Sequence, residues 1–326
     1  MNLLPTTEQA EIVSVIGEFL SSEVPIRRYQ ETINLGTPYS AALWQQFVKL
    51  GWFGVSCPEH LGGSGLGIAE EILLAREAGR QLISPTVLAT AFTANLASRH
   101  DQAGLANSLI NGEKRVAIAL ATKEDNYLMF DGGDADYLLT CHDNKINLFP
   151  AAAIAKAETL KGTDESVSLT RTTLTGTPLL KNIGESDVMR LAIGLCAVLT
   201  GIAESACAAA VSYAGEREQF GQPIGAFQTI KHLCADMAVR NEAAWSQCVY
   251  AGLSLQDEHE DATRKIAAAV EMSARAALEN ARTNIQVHGG VGFTVEYDAH
   301  LLVKRTHVLS SLLDSLIDRR KVLLKQ

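Results

Sequence analysis

Over most of the chain the apolar residues return every third or fourth position, the spacing that lines one face of an α-helix. Ile12, Val13, Val15, Ile16, Phe19 and Leu20 mark the buried side of a first helix, which Thr6 or Thr7 can cap. A second helix is predicted from near Ser40, carrying Leu43, Trp44, Phe47 and Leu50. Gly51, Gly54, Gly62, Gly63, Gly65 and Gly67 then predict an irregular loop. Ile68–Arg80 and Val87–Ser98 predict two more helices, divided by Ser84-Pro85. At Asn111-Gly112 the period changes. Val116, Ile118 and Leu120 alternate, Ala135–Leu139 and Lys145–Phe149 are β-prone runs around Asp143-Asn144, and Val167-Ser168-Leu169 continues the pattern to about Leu179.

The helical period then returns. Ser186–Glu216 lacks proline and reads as one helix, with Ser186 as its cap and Asp187 favourable in the first turn. Phe227, Ile230, Leu233, Cys234, Met237, Ala244, Trp245 and Cys248 share a face of the next. Glu258–His288, with packing surfaces at Ala267, Ala268, Ala274 and Ala277, and Ala299–Lys325 complete the chain. The predicted fold is mainly α with a small β domain: an N-terminal helical domain over 1–110, a short middle β domain over 111–182, and a C-terminal helical bundle over 183–326. This last part reads as four or five helices in a four-helix bundle that also buries a subunit interface.

Composition narrows the chemistry. The 326 residues suffice for two or three packed subdomains. A net charge of −9 argues against nucleic-acid binding, which calls for a basic stripe. The six cysteines form no CxxC pair and mostly lie on apolar helix faces, so free buried thiols and a reducing compartment are expected. No uncharged apolar run of about 18 residues predicts a membrane span, and Met1–Thr7 has no secretory pattern, so a cytoplasmic protein is expected. The eight histidines show no metal spacing and no Gly-x-Ser-x-Gly elbow exists, so no metal site is expected. Gly62–Gly67 could cradle a phosphate, but no strand precedes it and no Lys-Ser/Thr follows, which favours a structural loop.

The richest chemistry lies between the two long helices, in Arg217-Glu218-Gln219-Phe220-Gly221-Gln222-Pro223-Ile224-Gly225-Ala226-Phe227-Gln228. Pro223 fits a loop or a first helical turn, and Gly221 and Gly225 permit tight turning. Arg217 thus sits at the mouth of a helical hairpin, where a guanidinium can grip a phosphate with two hydrogen bonds, or can merely meet solvent or a carboxylate.

This block, continued by Leu233, Asp236 and Met237, resembles the acyl-CoA dehydrogenase family. So does Gln286-Val287-His288-Gly289-Gly290-Val291-Gly292-Phe293-Thr294, with Glu296 and His300-Leu301-x-x-Lys304-Arg305. The resemblance runs in order through nearly the whole chain. It implies an FAD cofactor, with Arg217, Gln219, Phe220, Gln286, Gly289 and Gly290 contacting the FAD of a neighbouring subunit. Ala135-Asp136-Tyr137 and Leu169-Thr170-Arg171 match the family's middle domain. There, however, a Thr-Glu-Pro-x-x-Gly-Ser run and a Trp-x-Thr/Ser run normally hold the subunit's own flavin. Here Leu120–Asn126 carries no proline and no Gly-Ser, and no tryptophan lies between Trp52 and Trp245.

The base that the family uses is also missing from its usual places. One branch carries it as Glu near the C-terminus, where this chain has Ser310–Ser315, with Asp314 the nearest carboxylate and candidate catalytic residue. Asp314 can equally be a solvated helix residue pairing with Arg319 or Lys321. The other branch places it at positions that are apolar here, Leu191–Ile193. The pattern is similar to the shortened subunit of heteromeric acyl-CoA dehydrogenases, such as those that shorten steroid side chains. It implies an acyl-CoA substrate, an FAD-cradling partner subunit in an assembly of two unlike pairs, and an electron-transfer flavoprotein as electron acceptor. A self-sufficient homo-oligomer and a non-catalytic scaffold of the same fold are the competing readings.

Overall fold

The computed structural model describes residues 2–29, 39–122, 126–181 and 183–324. Helix α1 (Thr7–Glu23) starts with a reciprocal cap: Thr6 Oγ1 accepts from the Gln9 amide at 3.2 Å while Gln9 Oε1 accepts from the Thr6 amide at 2.9 Å. Its Ile16 and Leu20 are buried, whereas Val15, expected on that face, is 57% exposed. Helix α2 (Ala41–Lys49), capped by Ser40, places Trp44 and Phe47 against Trp52 and Phe53 in an aromatic cluster. The glycine-rich loop that follows is structural. A Cβ on Gly63 would lie 2.2 Å from the Cys57 carbonyl oxygen, so only glycine lets the two backbones meet.

Helix α3 (Ile68–Arg80) is followed by α4 (Pro85–Arg99), which begins with a Ser84 cap and Pro85 in its first turn. The short helix α5 (Ala103–Ile110) completes this part.

The middle part is one six-stranded sheet. Its strands are β1 (Val116–Ala121), β2 (Asn126–Phe130), β3 (Tyr137–His142), β4 (Lys145–Pro150), β5 (Ile154–Leu160) and β6 (Leu169–Leu174), in the order β4-β3-β1-β2-β6-β5. The β1–β3 pair is parallel and the others antiparallel. Asp143 and Asn144 turn the β3–β4 hairpin with φ of 44° and 59°, the left-handed pair that suits a strand twist.

Five helices follow: α6 (Glu185–Glu216), α7 (Gln228–Gln256), α8 (Ala262–His288), α9 (Ala299–Leu316) and α10 (Arg319–Leu324). The cap of α6 is Gly184, not Ser186, which lies inside the first turn. Asp187 does more than complement a helix dipole: it is buried and takes Arg99 Nη1 at 2.5 Å and His100 Nε2 at 2.8 Å. Helix α8 begins at Ala262 rather than Glu258, whose φ of 50° is not helical. Helix α6 is long and apolar enough to cross a membrane by composition, yet 72% of its most apolar window is buried inside the protein.

Two devices fix the three parts together. Helices α3 and α6 cross backbone to backbone, since a Cβ on Gly79 would lie 2.0 Å from Val198 O and one on Gly201 2.0 Å from Arg76 O. In α9 the buried Arg305 binds Asp164 Oδ2 through Nε at 2.7 Å, Leu82 O and Ile83 O through Nη1 at 2.8 and 3.1 Å, and Ser166 Oγ through Nη2 at 2.8 Å. One guanidinium thus joins the C-terminal bundle, the sheet's β5–β6 connection and the α3–α4 corner. Four cysteines are buried and two, Cys207 and Cys234, half-buried; all six are free.

Candidate functional site

Two loops at neighbouring helix ends form the first candidate surface. Helix α6 stops at Arg217, whose backbone turns extended (φ −76°, ψ 120°). Two short strands, β7 (Glu218–Gln219) and β8 (Gln222–Pro223), make a hairpin whose tip holds Phe220 at φ 54° and Gly221 at φ 80°. A phenylalanine in the left-handed region is strained by about 1 kcal/mol or more, and here its ring is 93% exposed. The Ile224 amide donates to Arg217 O at 2.7 Å and closes the loop. Gly225 then passes so near α6 that a Cβ would lie 2.9 Å from Ala214 O. The Arg217 side chain points into solvent, with no ion pair to a described residue. Gln219 is also exposed, its Nε2 donating to Glu218 O at 2.7 Å.

The second loop leaves α8 at Gly289, whose φ of 66° and ψ of −146° suit glycine alone. Gln286, Gly289 and Gly290 are exposed, and a Cβ on either glycine would meet nothing within 4 Å. The backbone there is open to close approach. The His288 ring stacks on Tyr213 with centroids 4.2 Å apart, and Tyr297 meets both rings edge-on. Tyr213 lies one helical turn before Arg217, so the Arg217 loop and the Gly289-Gly290 loop share one end of the bundle. Neither Tyr213 nor Tyr297 belongs to a motif that marks it in the sequence. Their only signal there is Tyr213's i−4 spacing from Arg217, because the contact with His288 spans 75 residues. Phe220, Phe293 (73% exposed) and Val295 (71% exposed) present apolar side chains to solvent from these loops, among the exposed charges of Glu216, Arg217, Glu218 and Glu296.

Asp314 lies elsewhere, on a separate groove of about 980 Å³ between the sheet and the C-terminal helices. Ala121 and Thr122 line the same groove, so the start of the Leu120–Asn126 run and the candidate carboxylate do come together. Asp314 is exposed and accepts from Arg319 Nη1 at 2.7 Å, and Arg319 Nε also reaches Glu271 Oε2 at 2.8 Å. That setting is the reverse of the desolvated, unpaired position from which a carboxylate abstracts a proton readily. Leu191, Ala192 and Ile193 on α6 are buried and apolar. Beside them a cavity of about 70 Å³ is lined by Leu74, Leu88, Phe92 and Leu195, and its one lining carboxylate, Glu71, is paired with Arg190 at 2.8 Å. Among the described residues no cluster of three or more His, Cys, Asp or Glu side chains could hold a metal ion.

Residues 6–101 match the acyl-CoA dehydrogenase N-terminal domain and residues 184–312 the C-terminal domain. Acyl-CoA dehydrogenase IpdE2 of Mycobacterium tuberculosis is 32% identical over 85% of this chain and 84% of its own length. The chain belongs to the acyl-CoA dehydrogenase family. It is thus a relative of oxidoreductases that act on acyl-CoA. This acyl-CoA dehydrogenase homologue is also 36% identical to FadE34 of the same organism over 81% of its length, but spans only 39% of that larger protein. Its fold matches a chain of the ChsE4-ChsE5 complex from Mycobacterium tuberculosis with a TM-score of 0.81, 21% identity, and 99% and 97% of the two chains covered. Butyryl-CoA dehydrogenase from Megasphaera elsdenii gives a TM-score of 0.80 and 20% identity, with 99% and 98% covered.

Proposed function

We propose that this chain is a subunit of an FAD-dependent acyl-CoA dehydrogenase that lends its Arg217 and Gly289-Gly290 loops to a flavin cradled mainly by a different partner subunit. The observation that carries this reading is the contrast between the two surfaces. One end of the bundle exposes a guanidinium with no ion pair to a described residue, two glycines open to close approach and three exposed apolar side chains, Phe220, Phe293 and Val295. The chain's own groove presents Asp314 tied to Arg319 and, at Ala121-Thr122, none of the proline, glycine and serine of a flavin-holding run.

The loops fit the cofactor in chemical type. Arg217 would take a pyrophosphate oxygen pair, the glycine backbone would approach the same group, and Gln219, Phe220 and Gln286 would line it. Bound FAD supplies the acceptor for the β hydrogen of an acyl-CoA thioester. The protein's share is to orient the flavin and exclude water, and the α proton would go to a carboxylate of the partner. Asp314 is the base only under a second reading, a self-sufficient homo-oligomer, which the size of the groove beside it favours.

We take 1–110, 111–182 and 183–326 as the structural units, an assembly of two unlike pairs as the active form, and a cytoplasmic location. A bulky acyl-CoA, such as a CoA-linked steroid side chain, is the proposed substrate class, with an electron-transfer flavoprotein as the electron acceptor. Another chain sharing the fold, at a TM-score of 0.81 and 22% identity, comes from a two-component steroid acyl-CoA dehydrogenase.

The test is the flavin content of the chain purified alone and co-expressed with a dehydrogenase-like partner. No flavin alone and one FAD per unlike pair is expected. One FAD per chain in the isolated protein would overturn the shared site in favour of the homo-oligomer, and no flavin in either form would leave a scaffold.

A further inference from the structure

We propose that Tyr213, His288 and Tyr297 form an aromatic joint that sets the spacing of the two cofactor loops, with His288 as the positioning residue; this rests on the shared-site reading above. Each ring is tied to a different segment of the site. Tyr213 lies in the last turn of α6, and its carbonyl accepts the Arg217 amide at 2.9 Å, so the ring and the start of the Arg217 loop move together. His288 is the last residue of α8 and immediately precedes Gly289. Its ring is held as well as its backbone: Nδ1–H donates to Asn284 O at 2.8 Å, because a carbonyl can only accept, and the side chain is buried. Tyr297 ends the second loop, with its amide donating to Thr294 O at 3.3 Å and Thr294 in turn bonded to Val291 O.

The three rings then close on one another. Tyr213 and His288 stack at 22° with centroids 4.2 Å apart, while Tyr297 stands at 89° to Tyr213 at 5.7 Å and at 69° to His288 at 5.4 Å. These are the offset-stacked and edge-to-face arrangements that aromatic quadrupoles favour. Ordinary core packing would place such rings deep in the bundle. Here Tyr213 is half-buried and Tyr297 is 37% exposed, while α6 and α8 already bury alanines along their length, Ala203, Ala206, Ala210, Ala277 and Ala281 among them. The joint therefore adds little to holding the helices together. What it constrains is the distance from Arg217 to Gly289-Gly290, the quantity on which simultaneous grip of one pyrophosphate depends.

Two measurements test this. Amide hydrogen exchange of the chain alone should quicken across Gly289–Tyr297 in His288→Ala and return to the wild-type rate in His288→Phe, which keeps a ring on Tyr213. Equal rates in His288→Ala and wild type would overturn the joint without reference to flavin. In the complex with the FAD-holding partner, His288→Ala should retain FAD roughly three- to tenfold more weakly, with His288→Phe close to wild type. Tyr213→Leu serves as the second variant should His288→Ala not fold, with the same loss expected. If Arg217→Ala releases FAD while the His288 and Tyr213 variants bind as wild type, the joint is wrong and the shared site stands. If Arg217→Ala binds FAD normally, the shared site itself is wrong.

Discussion

The Arg217 end of the bundle and the Asp314 groove are built in opposite ways. At the first, a guanidinium carries no ion pair to a described residue, a phenylalanine is held in a left-handed conformation with its ring in solvent, and glycine backbone lies open. At the second, the candidate carboxylate is already engaged within the chain: Arg319 spans Asp314 and Glu271, and the Asn144 amide donates to Ser315 O at 3.2 Å across the groove. A surface left unsatisfied in the isolated chain is one whose partners come from outside. A carboxylate held by a guanidinium is poorly placed to take a proton. On the shared-site proposal, the first surface would take another molecule, whereas the second already holds its candidate carboxylate in an ion pair.

The largest expected effect tests the frame that keeps these surfaces apart. Arg305→Leu would leave Asp164 buried without its cation and strip hydrogen bonds from Leu82 O and Ile83 O; a loss of about 3–5 kcal/mol is expected in urea unfolding. A loss below about 1 kcal/mol would mean that the three parts hold together without this network.

Next in size, Arg217→Ala should weaken FAD retention by the complex by about 1.5–3 kcal/mol. The same change should leave the stability of the chain alone within about 0.5 kcal/mol. Loss of stability in the isolated chain would show that Arg217 serves the fold instead.

Phe220→Gly sharpens the contrast between internal strain and external use. Relief of the left-handed backbone should stabilise the chain alone by up to about 1 kcal/mol, read as a higher denaturation midpoint, while removal of the exposed ring weakens binding to the partner. Destabilisation would mean that the ring's edge contact with Phe227, at 6.2 Å, outweighs the strain.

The smallest effect is reserved for Asp314→Asn, which breaks only an exposed pair and should change stability by less than about 1 kcal/mol. Turnover by the complex should be unchanged. A fall in kcat of a hundredfold or more would install Asp314 as the base and remove the contrast between the two surfaces.

How much of this was legible depended on the range over which each feature is encoded. Helix α3 was read at its observed limits because Gly67 and the Ser84-Pro85 break punctuate a strong apolar stripe locally. The β3–β4 hairpin was legible in Asp143-Asn144 for the same reason. Strand β5 was not, because most of its residues face solvent and no alternation of apolar positions survives; its backbone pairing with β6 is what makes it a strand. The Arg217 and Gly289-Gly290 loops were visible as motifs, but the Tyr213–His288 stack that brings them together was not, since nothing local in either segment announces a partner so far away in sequence. For Asp314 both readings were open from the sequence, and the structure shows the pairing with Arg319.

Helix α6 also has a mechanical meaning. It is a rod of 32 residues, about 48 Å long at 1.5 Å per residue. Its first turn is clamped through Asp187 to Arg99 and His100, and its middle is notched into α3 where two glycines let the main chains touch. Its far end carries Arg217. Gripped at one end and in the middle, and held near the other by the Tyr213–His288 stack, the rod links Arg217 mechanically to the seating of the N-terminal helices. A subunit docking against those helices would adjust the aim of Arg217, the proposed phosphate grip, far from its own footprint.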